Sequence, residues 1–297
     1  MPFEKEFDQF TNSDFLEAIK DLEEILKEKE RALSTKNKEP ETLSDRMKSY
    51  ENRYKVLLDY GKPKIVRLDL RAGKTFTKNF DKPFDQFFSN CMVETMKALC
   101  SQIPGARLGY TQSDEITILI KDINKENQEI GFFNNSLTKI TSITASLCTS
   151  IFNKLWAEGV AGLPENSEKF NIYKKRLFAA VFDCRFFELP DEQEILNNFI
   201  WRQSDCYVNA VNATARSIFS EKELNGKSVE EKLAMLSSAG VNFSSLSLKF
   251  SRGVICLKTP KYINDVERFK WEESIAPNFK SNLSFIKGVY NGNNLFV

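Results

Sequence analysis

Histidine is absent from all 297 residues of the sequence. Its imidazole is the side chain that titrates near neutral pH, and it is also the commonest metal ligand. Its absence therefore excludes histidine acid–base catalysis, Ser-His and Cys-His nucleophile pairs, and metal sites built on imidazole. Any chemistry in this chain has to come from other side chains.

Zinc-like cysteine spacing and long apolar runs are also missing. The six cysteines, at positions 91, 100, 148, 184, 206 and 256, contain no Cys-x-x-Cys pair. Most lie in apolar periodic segments, so we expect buried free thiols in a reducing compartment. No apolar run reaches the length of a membrane span, and residues 1–10 show neither a signal core nor a transit pattern. The sequence predicts a cytoplasmic protein without a membrane partner and leaves an organelle open.

The composition is that of a well-folded globular protein, with 41% hydrophobic and 28% charged residues. Lys and Arg number 42 against 41 Asp and Glu, which leaves a net charge of +1. This balance neither demands nor excludes nucleic acid, because a local basic patch can exist within a neutral total.

Three regions follow from the sequence pattern. Region 1–42 predicts an amphipathic helix over 13–34 and a polar linker over 35–41. That helix either packs on the rest of the protein or contacts a partner. Region 43–190 predicts, in order, strand 64–70, helix 84–102, strands 106–111 and 115–121, helix 135–157 and strand 177–188. This βαββαβ order indicates an α+β fold with ferredoxin-like topology, the architecture of many polymerase palm domains.

The middle helix of region 43–190 has a clear apolar periodicity. The expected buried positions are Leu137, Ile140, Ile143, Leu147, Ile151 and Leu155. Region 191–297 predicts a helical extension, with one long helix or two abutting helices over 191–219. Ser228 and Glu231 form a capping box for a helix that ends at Gly240. A terminal strand is expected over about 248–258.

Three acidic residues are predicted to converge at one edge of the sheet. Asp69 ends an apolar strand, and Asp114 and Glu115 lie in the tight turn of the following hairpin. In a βαββαβ sheet the first and third strands are neighbours, which brings these carboxylates together. Converging carboxylates repel one another unless a hard cation bridges them, and two Mg²⁺ ions in such a site support phosphoryl transfer. The competing interpretation is an ordinary polar turn.

Polar residues also share one side of the helix over 202–219. These are Arg202, Asp205, Asn209, Asn212 and Arg216, and the apolar residues Tyr207, Val208, Val211, Ala215 and Ile218 are expected opposite them. Arginine and asparagine suit phosphate and sugar recognition, although a solvated face is the alternative. Lys82, Lys249 and Arg252 are further candidates for phosphate contact. The segment Gly73-Lys-Thr75 lacks the glycine spacing of a P-loop.

The same residues carry a resemblance to a known family. The matching segments are Leu43-Ser-Asp-Arg-Met-Lys-Ser-Tyr-Glu51, Val66-Arg-Leu-Asp69, Arg71, Phe76-Thr77, Lys82-Pro83, Gly109-Tyr-Thr-Gln-Ser-Asp-Glu115, Phe182-Asp-x-Arg185, Trp201-Arg-Gln-x-Asp205, Asn209 and Asn212. In this order and spacing the sequence resembles the tRNA-His guanylyltransferases and related 3′–5′ RNA polymerases, over about residues 43–258.

The resemblance implies a palm-like enzyme that uses two Mg²⁺ ions. Asp69 and Asp114 would bind both ions, with the Leu70 carbonyl and Glu115 assisting. The family positions for nucleotide or triphosphate handling correspond to Lys82, Ser113, Arg202 and Asn209. Family members activate a 5′-monophosphorylated RNA with ATP or GTP, and the 3′-hydroxyl of an incoming nucleoside triphosphate then attacks the activated end. They bind tRNA and are generally homotetramers.

Three departures from the family pattern stand out. Leu70 replaces a usual glycine, so its side chain is expected to crowd the nucleotide. Tyr207 lies where guanosine-adding members carry histidine, and the Lys222-Glu-Leu-x-Gly-Lys227 segment resembles the branch that repairs truncated tRNA 5′ ends. Region 1–42 matches no part of the family.

The resulting prediction is a template-dependent 3′–5′ nucleotidyltransferase that acts on tRNA. Its catalytic residues would be Asp69, Asp114 and Glu115. Alternatives are addition of the 5′ guanosine to tRNA-His, a palm-fold nucleotide cyclase that needs no RNA, and an inactive RNA-binding scaffold.

Overall fold

A computed structural model describes residues 23–27, 42–125, 128–263 and 266–292 of the chain. The chain divides into two compact units, Met1–Tyr54 and Lys55–Val297. In the first unit residues 23–27 are helical, and the rest of the predicted helix 13–34 lies outside the described residues. Helix α1 (Leu43–Asn52) begins at a capping box in which Thr42 and Asp45 bond each other's backbone amides.

The second unit contains all the strands that the structure describes. They are β1 (Lys64–Leu70), β2 (Ala106–Gln112), β3 (Glu115–Ile120), β4 (Ile123–Lys125), β5 (Gln128–Ile130), β6 (Phe182–Glu188), β7 (Val254–Ile263) and β8 (Val266–Ile275). Six form one sheet in the order β6-β1-β3-β2-β7-β8, and β4 pairs with β5. Every pair is antiparallel.

The helices of this unit lie between groups of strands along the chain and after the last strand. They are α2 (Gly73–Phe76), α3 (Gln86–Gln102), α4 (Leu137–Ala161), α5 (Glu168–Tyr173), α6 (Glu192–Arg216), α7 (Glu221–Leu224), α8 (Val229–Ser238), α9 (Leu248–Arg252) and α10 (Leu283–Asn291), with 3-10 turns at Phe132–Asn135, Lys174–Arg176 and Phe243–Ser245. The order β1-α3-β2-β3-α4-β6 and the strand order β6-β1-β3-β2 confirm the predicted ferredoxin-like topology. The Ser228–Glu231 capping box at the start of α8 is also confirmed.

Alternation along β1 divides its side chains between two cores. Val66, Leu68 and Leu70 pack with α3 and α4, whereas Ile65 packs with α6 and α10 on the other side of the sheet. Arg67 and Asp69 therefore lie on the α6 side. Among the described residues, no helix is both long and apolar enough to cross a membrane.

The buried face of α4 differs from the prediction. Its buried positions are Ile140, Thr144, Cys148, Phe152, Asn153, Trp156 and Val160. Ile143 is exposed, and Leu147, Ile151 and Leu155 are only half-buried. The rings of Phe152 and Trp156 explain the rotation, because they fill the centre of an aromatic cluster with Phe76. Burying these large rings outweighs burying the aliphatic stripe.

The predicted terminal strand 248–258 is also wrong in part. Residues 248–252 form helix α9, and the chain reverses at Gly253, which has φ +83°. A Cβ atom at this glycine would lie 2.5 Å from the ring of Tyr110, so only glycine fits. The strand starts at Val254, and a second strand, β8, pairs with it to extend the palm sheet beyond β2. Residues 268–275 of β8 are exposed or half-buried, which removes the periodic signal that would have predicted this strand.

Candidate active site

Asp69 lies at the end of β1 between two other carboxylates. Its Cα pairs with that of Glu115 on β3 and with that of Asp183 on β6. The next residue, Leu70, donates its backbone N–H to the Asp114 carbonyl at 3.1 Å. The structure therefore brings together the acids that the sequence predicts to converge. It adds Asp183, which the sequence indicated only as part of the matching segment Phe182-Asp-x-Arg185 and without a role. Its signal was the alternation of polar and apolar residues along β6.

The Asp114 carboxylate is held against the start of α2. Ser113 occupies the left-handed region with φ 51°, and its Oγ donates to Asp114 Oδ1 at 2.9 Å. A Cβ atom placed on Gly73 would lie 1.9 Å from Asp114 Oδ2. Gly73 is thus required for the position of Asp114. Sequence reasoning tested this glycine only as part of a P-loop and missed its role.

The local charge around Asp69 is strongly negative. Burial, followed by the charges of Asp114, Asp183 and Glu115, raises the pKa of Asp69 to about 6. Arg185 acts in the opposite direction. A carboxylate whose neighbours disfavour its own charge gains from a bound cation.

The residues present fit a hard cation that also binds a ligand's phosphates. Among the described residues, no three His, Cys, Asp or Glu side chains are arranged around a common metal position. Mg²⁺ commonly takes one or two carboxylates and completes its shell with water and substrate phosphates. Asp69 and Asp114 supply that kind of oxygen set, and the Leu70 carbonyl is the further predicted ligand.

Glu115 is engaged by a buried arginine. Arg202 Nη1 donates to Glu115 Oε2 at 2.9 Å, and Arg202 also pairs with Asp205 one turn further along α6. Burial raises the pKa of Glu115, and Arg202 acts against that effect. The structure thus places Arg202 in an ion pair beside the acids rather than on an open ligand-binding face.

A cavity of about 210 Å³ lies beside the acids and contains three predicted nucleotide-binding residues. Lys82, Ser113 and Asn209 line it, together with Lys249, whose pKa is lowered by burial. Asn212 lies outside the lining, and its Oδ1 accepts a hydrogen bond from Lys232 at 2.9 Å. The cavity therefore gathers a cation, a hydroxyl and an amide from three separate elements.

Two aromatic rings in the cavity wall had no sequence signal. Phe84 and Phe250 stack with ring centroids 4.2 Å apart and an interplanar angle of 4°. Both line the cavity. Their contact joins helix α9 to the segment that precedes α3. These two segments are far apart in the chain, so no local sequence pattern predicts the contact.

The polar and apolar sides predicted for the 202–219 helix are only partly correct. The element is one helix from Glu192 to Arg216. Val211 and Ala215 are buried as expected, but Tyr207, Val208 and Ile218 are exposed and Arg202 is buried. The first half of α6 packs Ile195 and Phe199 under the sheet, and this contact sets the rotation of the whole helix.

The two substitutions that depart from the family pattern lie away from the cavity. Leu70 is 2% exposed and its side chain is in the α3–α4 core, on the opposite side of the sheet from Asp69. The Leu70 side chain is therefore not among the residues that line the cavity. Tyr207 makes an edge-to-face contact with Phe243 at 5.6 Å and lines a different cavity.

Comparison with known proteins points in the same direction as this geometry. The family model described as "Thg1: tRNAHis guanylyltransferase" matches residues 44–190. A bacterial tRNA(His) guanylyltransferase-like protein solved in complex with ATP is 34% identical with a TM-score of 0.70, and the match covers 84% of this chain and 99% of that chain. A bacterial protein of the same description solved with GTP is 31% identical with a TM-score of 0.66 and the same coverage. An uncharacterised protein of Acanthamoeba polyphaga mimivirus is 32% identical over 233 residues, which are 73% of this chain and 77% of that protein.

Proposed function

Because the chain belongs to the tRNA-His guanylyltransferase family of nucleotidyltransferases, we propose that it adds nucleotides to the 5′ end of tRNA under the direction of a template base. One observation carries the proposal. The backbone hydrogen bond from Leu70 to Asp114 brings Asp69 and Asp114 together. Ser113, which precedes Asp114, lines a cavity with Lys82 and Asn209. This arrangement offers a cation site and a polyphosphate site side by side.

In this proposal Asp69, Asp114 and the Leu70 carbonyl hold Mg²⁺. When bound, two Mg²⁺ ions would activate an attacking hydroxyl and stabilise the charge on the leaving phosphate. The raised pKa of Asp69 supports the assignment, because its cause is a concentration of negative charge that a cation relieves.

The cavity would bind the triphosphate of a nucleotide. Lys82 and Lys249 supply positive charge, while the Ser113 hydroxyl and the Asn209 amide supply directional hydrogen bonds. The stacked rings of Phe84 and Phe250 form an apolar wall suited to a base or ribose. The bacterial relatives solved with ATP and with GTP support a nucleoside triphosphate as the ligand.

Glu115 and Arg202 would act as a pair. Arg202 would favour the ionised form of the Glu115 carboxylate and orient it next to Asp69. Arg202 is then a positioning residue, which revises the expectation that it contacts nucleotide directly. The expectation that Asn212 contacts nucleotide directly is revised as well, because its amide oxygen accepts a hydrogen bond from Lys232.

The proposed reaction has the two steps of the family chemistry. A 5′-phosphate oxygen of the RNA attacks the α-phosphorus of ATP or GTP, which releases pyrophosphate and leaves a nucleotide-capped end. The 3′-hydroxyl of an incoming nucleoside triphosphate then attacks the 5′-phosphorus of the RNA and releases the nucleoside monophosphate. A homotetramer and a cytoplasmic location remain predictions.

The test supplies the full chain with Mg²⁺, ATP and 5′-truncated tRNAs that differ only in the nucleotide opposite the missing position. Sequencing of the 5′ additions should show the nucleotide complementary to the template base, whichever tRNA is used. Tyr207 supports the template-directed function, because the family members that add guanosine to tRNA-His carry histidine at this position and this chain does not.

Three other outcomes would each support a different function. Guanosine added whatever the template, and only to tRNA-His, would identify the guanosine-adding enzyme. A cyclic nucleotide formed from nucleoside triphosphate without RNA would identify a cyclase. Binding of tRNA with no product under any condition would identify a scaffold.

A further inference from the structure

Two arginines face each other on the open part of the sheet next to the acids. Arg67 on β1 and Arg185 on β6 are direct cross-strand partners. Neither makes a hydrogen bond or an ion pair with any residue that the structure describes. Like charges directly opposite one another destabilise an antiparallel pair. Two guanidinium groups held side by side without a hydrogen-bonded carboxylate are suited to an anion.

An aromatic ring borders this pair. Trp201 at the middle of α6 is 50% exposed. The Arg67 guanidinium carbon lies 5.3 Å from its ring centroid, and that of Arg202 lies 3.6 Å from it. Guanidinium groups for phosphate and an aromatic ring for base stacking are the combination by which proteins hold the unpaired or terminal nucleotides of RNA.

The surface formed by Arg67, Arg185 and Trp201 lies on the opposite side of the acids from the cavity. Arg67 precedes Asp69 by two residues on β1, and Arg185 follows Asp183 by two residues on β6, so all four share one face. The cavity lies on the other side of the acids, where Thr111 and Gln112 of β2 contribute to its wall. The strand order β6-β1-β3-β2 thus places the acids between an anion-binding surface and a cavity.

We propose that Arg67 and Arg185 bind phosphates of the 5′-terminal segment of the RNA substrate, and that Trp201 stacks against a base of that segment. The inference rests on the proposed function. Nucleotide addition requires two phosphate-bearing ligands to meet at the acids, and the cavity accommodates the nucleoside triphosphate. The arginine surface receives the second ligand, the RNA end, from the opposite side.

The test measures RNA binding rather than catalysis. The probe is a 5′-monophosphorylated hairpin RNA with a labelled 3′ end, titrated with the full chain by fluorescence anisotropy at several salt concentrations and without nucleotide. Arg185→Ala is the main variant, because the side chain is exposed and its removal leaves no cavity. We expect its Kd to rise on the order of tenfold and the slope of log Kd against log salt to fall by about 1. Trp201→Ala should weaken binding by a similar factor with an unchanged slope, and Trp201→Phe should retain most of the affinity.

The matched control is Lys154→Ala, an exposed cation on α4 that pairs only within its own helix, with Glu158 at 3.8 Å. It should bind RNA as the unmodified chain does. Equal RNA affinity and salt slope for Arg185→Ala and the unmodified chain would overturn the inference. So would a loss of ATP affinity with RNA affinity retained, which would assign the arginines to the nucleoside triphosphate. Absence of nucleotide addition by the unmodified chain would count against the proposed function instead, because the binding measurement does not depend on turnover.

Discussion

Arg202 and Glu115 form an ion pair with 2.9 Å between Nη1 and Oε2, although 87 positions separate them in the chain. Their side chains are only 6% and 11% exposed. Glu115 is the cross-strand partner of Asp69, so this pair ties α6 to the strand that carries the acids. The Arg202 Nε atom is buried without a hydrogen-bond partner among the described residues. The pair is thus a structural contact located directly beside the proposed chemistry.

Replacing Arg202 with alanine should lower the free energy of unfolding by about 3 kcal/mol, because it leaves the Glu115 carboxylate buried without its partner. Urea unfolding measures this change. The control is Arg216→Ala, since the exposed Arg216–Glu221 pair at 3.0 Å should contribute less than about 1 kcal/mol. A variant of normal stability with a raised KM for nucleotide would restore the interpretation of Arg202 as a direct ligand contact.

Replacing Asp69 with asparagine should abolish nucleotide addition, and Asp114→Asn should do the same. Neither change should lower stability in metal-free buffer, because each removes one of several repelling carboxylates. Asp59→Asn, at an exposed surface pair with Lys62, is the matched control and should keep full activity. Turnover by either active-site variant at more than a few per cent of the normal rate would contradict the assignment.

The pH dependence of stability should also reveal Asp69. Its pKa is raised from 3.8 to about 6 in the folded protein. The folded state therefore binds the extra proton between these values, and stability falls as the pH rises through this window. A fully buried group would contribute ~3 kcal/mol for such a shift, and solvent screening of this half-buried carboxyl reduces the figure to about 1–2 kcal/mol. The free energy of unfolding, measured with urea in EDTA, should fall between pH 4 and pH 7 by this amount more in the unmodified chain than in Asp69→Asn. The variant should therefore be the more stable of the two at pH 7, relative to their difference at pH 4. Parallel curves for the two proteins would show that Asp69 titrates normally.

Restoring the family glycine at position 70 should harm the protein rather than improve it. Leu70→Gly removes a core side chain that is 2% exposed, so the free energy of unfolding should fall by about 3 kcal/mol or more. The KM for nucleotide should not change, because the leucine side chain is buried in the core and does not line the cavity. Thermal unfolding and initial rates measure the two effects, and Leu70→Met is a control that keeps the volume. A lower KM in Leu70→Gly would show that the side chain does crowd the nucleotide.

Asn209 and Asn212 provide a matched pair on one helix. Asn209 lines the cavity, whereas the Asn212 amide is bonded to Lys232. Asn209→Ala should raise the KM for nucleoside triphosphate about tenfold, which corresponds to roughly 1.4 kcal/mol for one hydrogen bond to a charged ligand. Asn212→Ala should leave that KM unchanged and cost only a small amount of stability. Equal effects on KM would mean that the whole polar side of α6 faces the ligand.

The convergence of Asp69 and Asp114 was predictable because it depends on topology. The order of apolar strands and helices, including the periodic helix over 135–157, indicates βαββαβ, and this order makes the first and third strands neighbours. Lys82 and Asn209 were predictable as residue types suited to phosphate. Their meeting in one cavity required the packing of α6 against the sheet.

Local patterns in the sequence therefore determined the elements, the capping boxes, the sheet order of the palm and the positions of the acids. The absence of histidine determined that any catalysis by this protein relies on other side chains. Tertiary structure alone decided the burial of Arg202 on Glu115, the opposition of Arg67 and Arg185, the turning of Leu70 into the core and the addition of β7 and β8 to the sheet. These features depend on the rotation of each helix and the register of distant strands, which are set by the packing of large side chains across the whole core. No window of neighbouring residues contains that information.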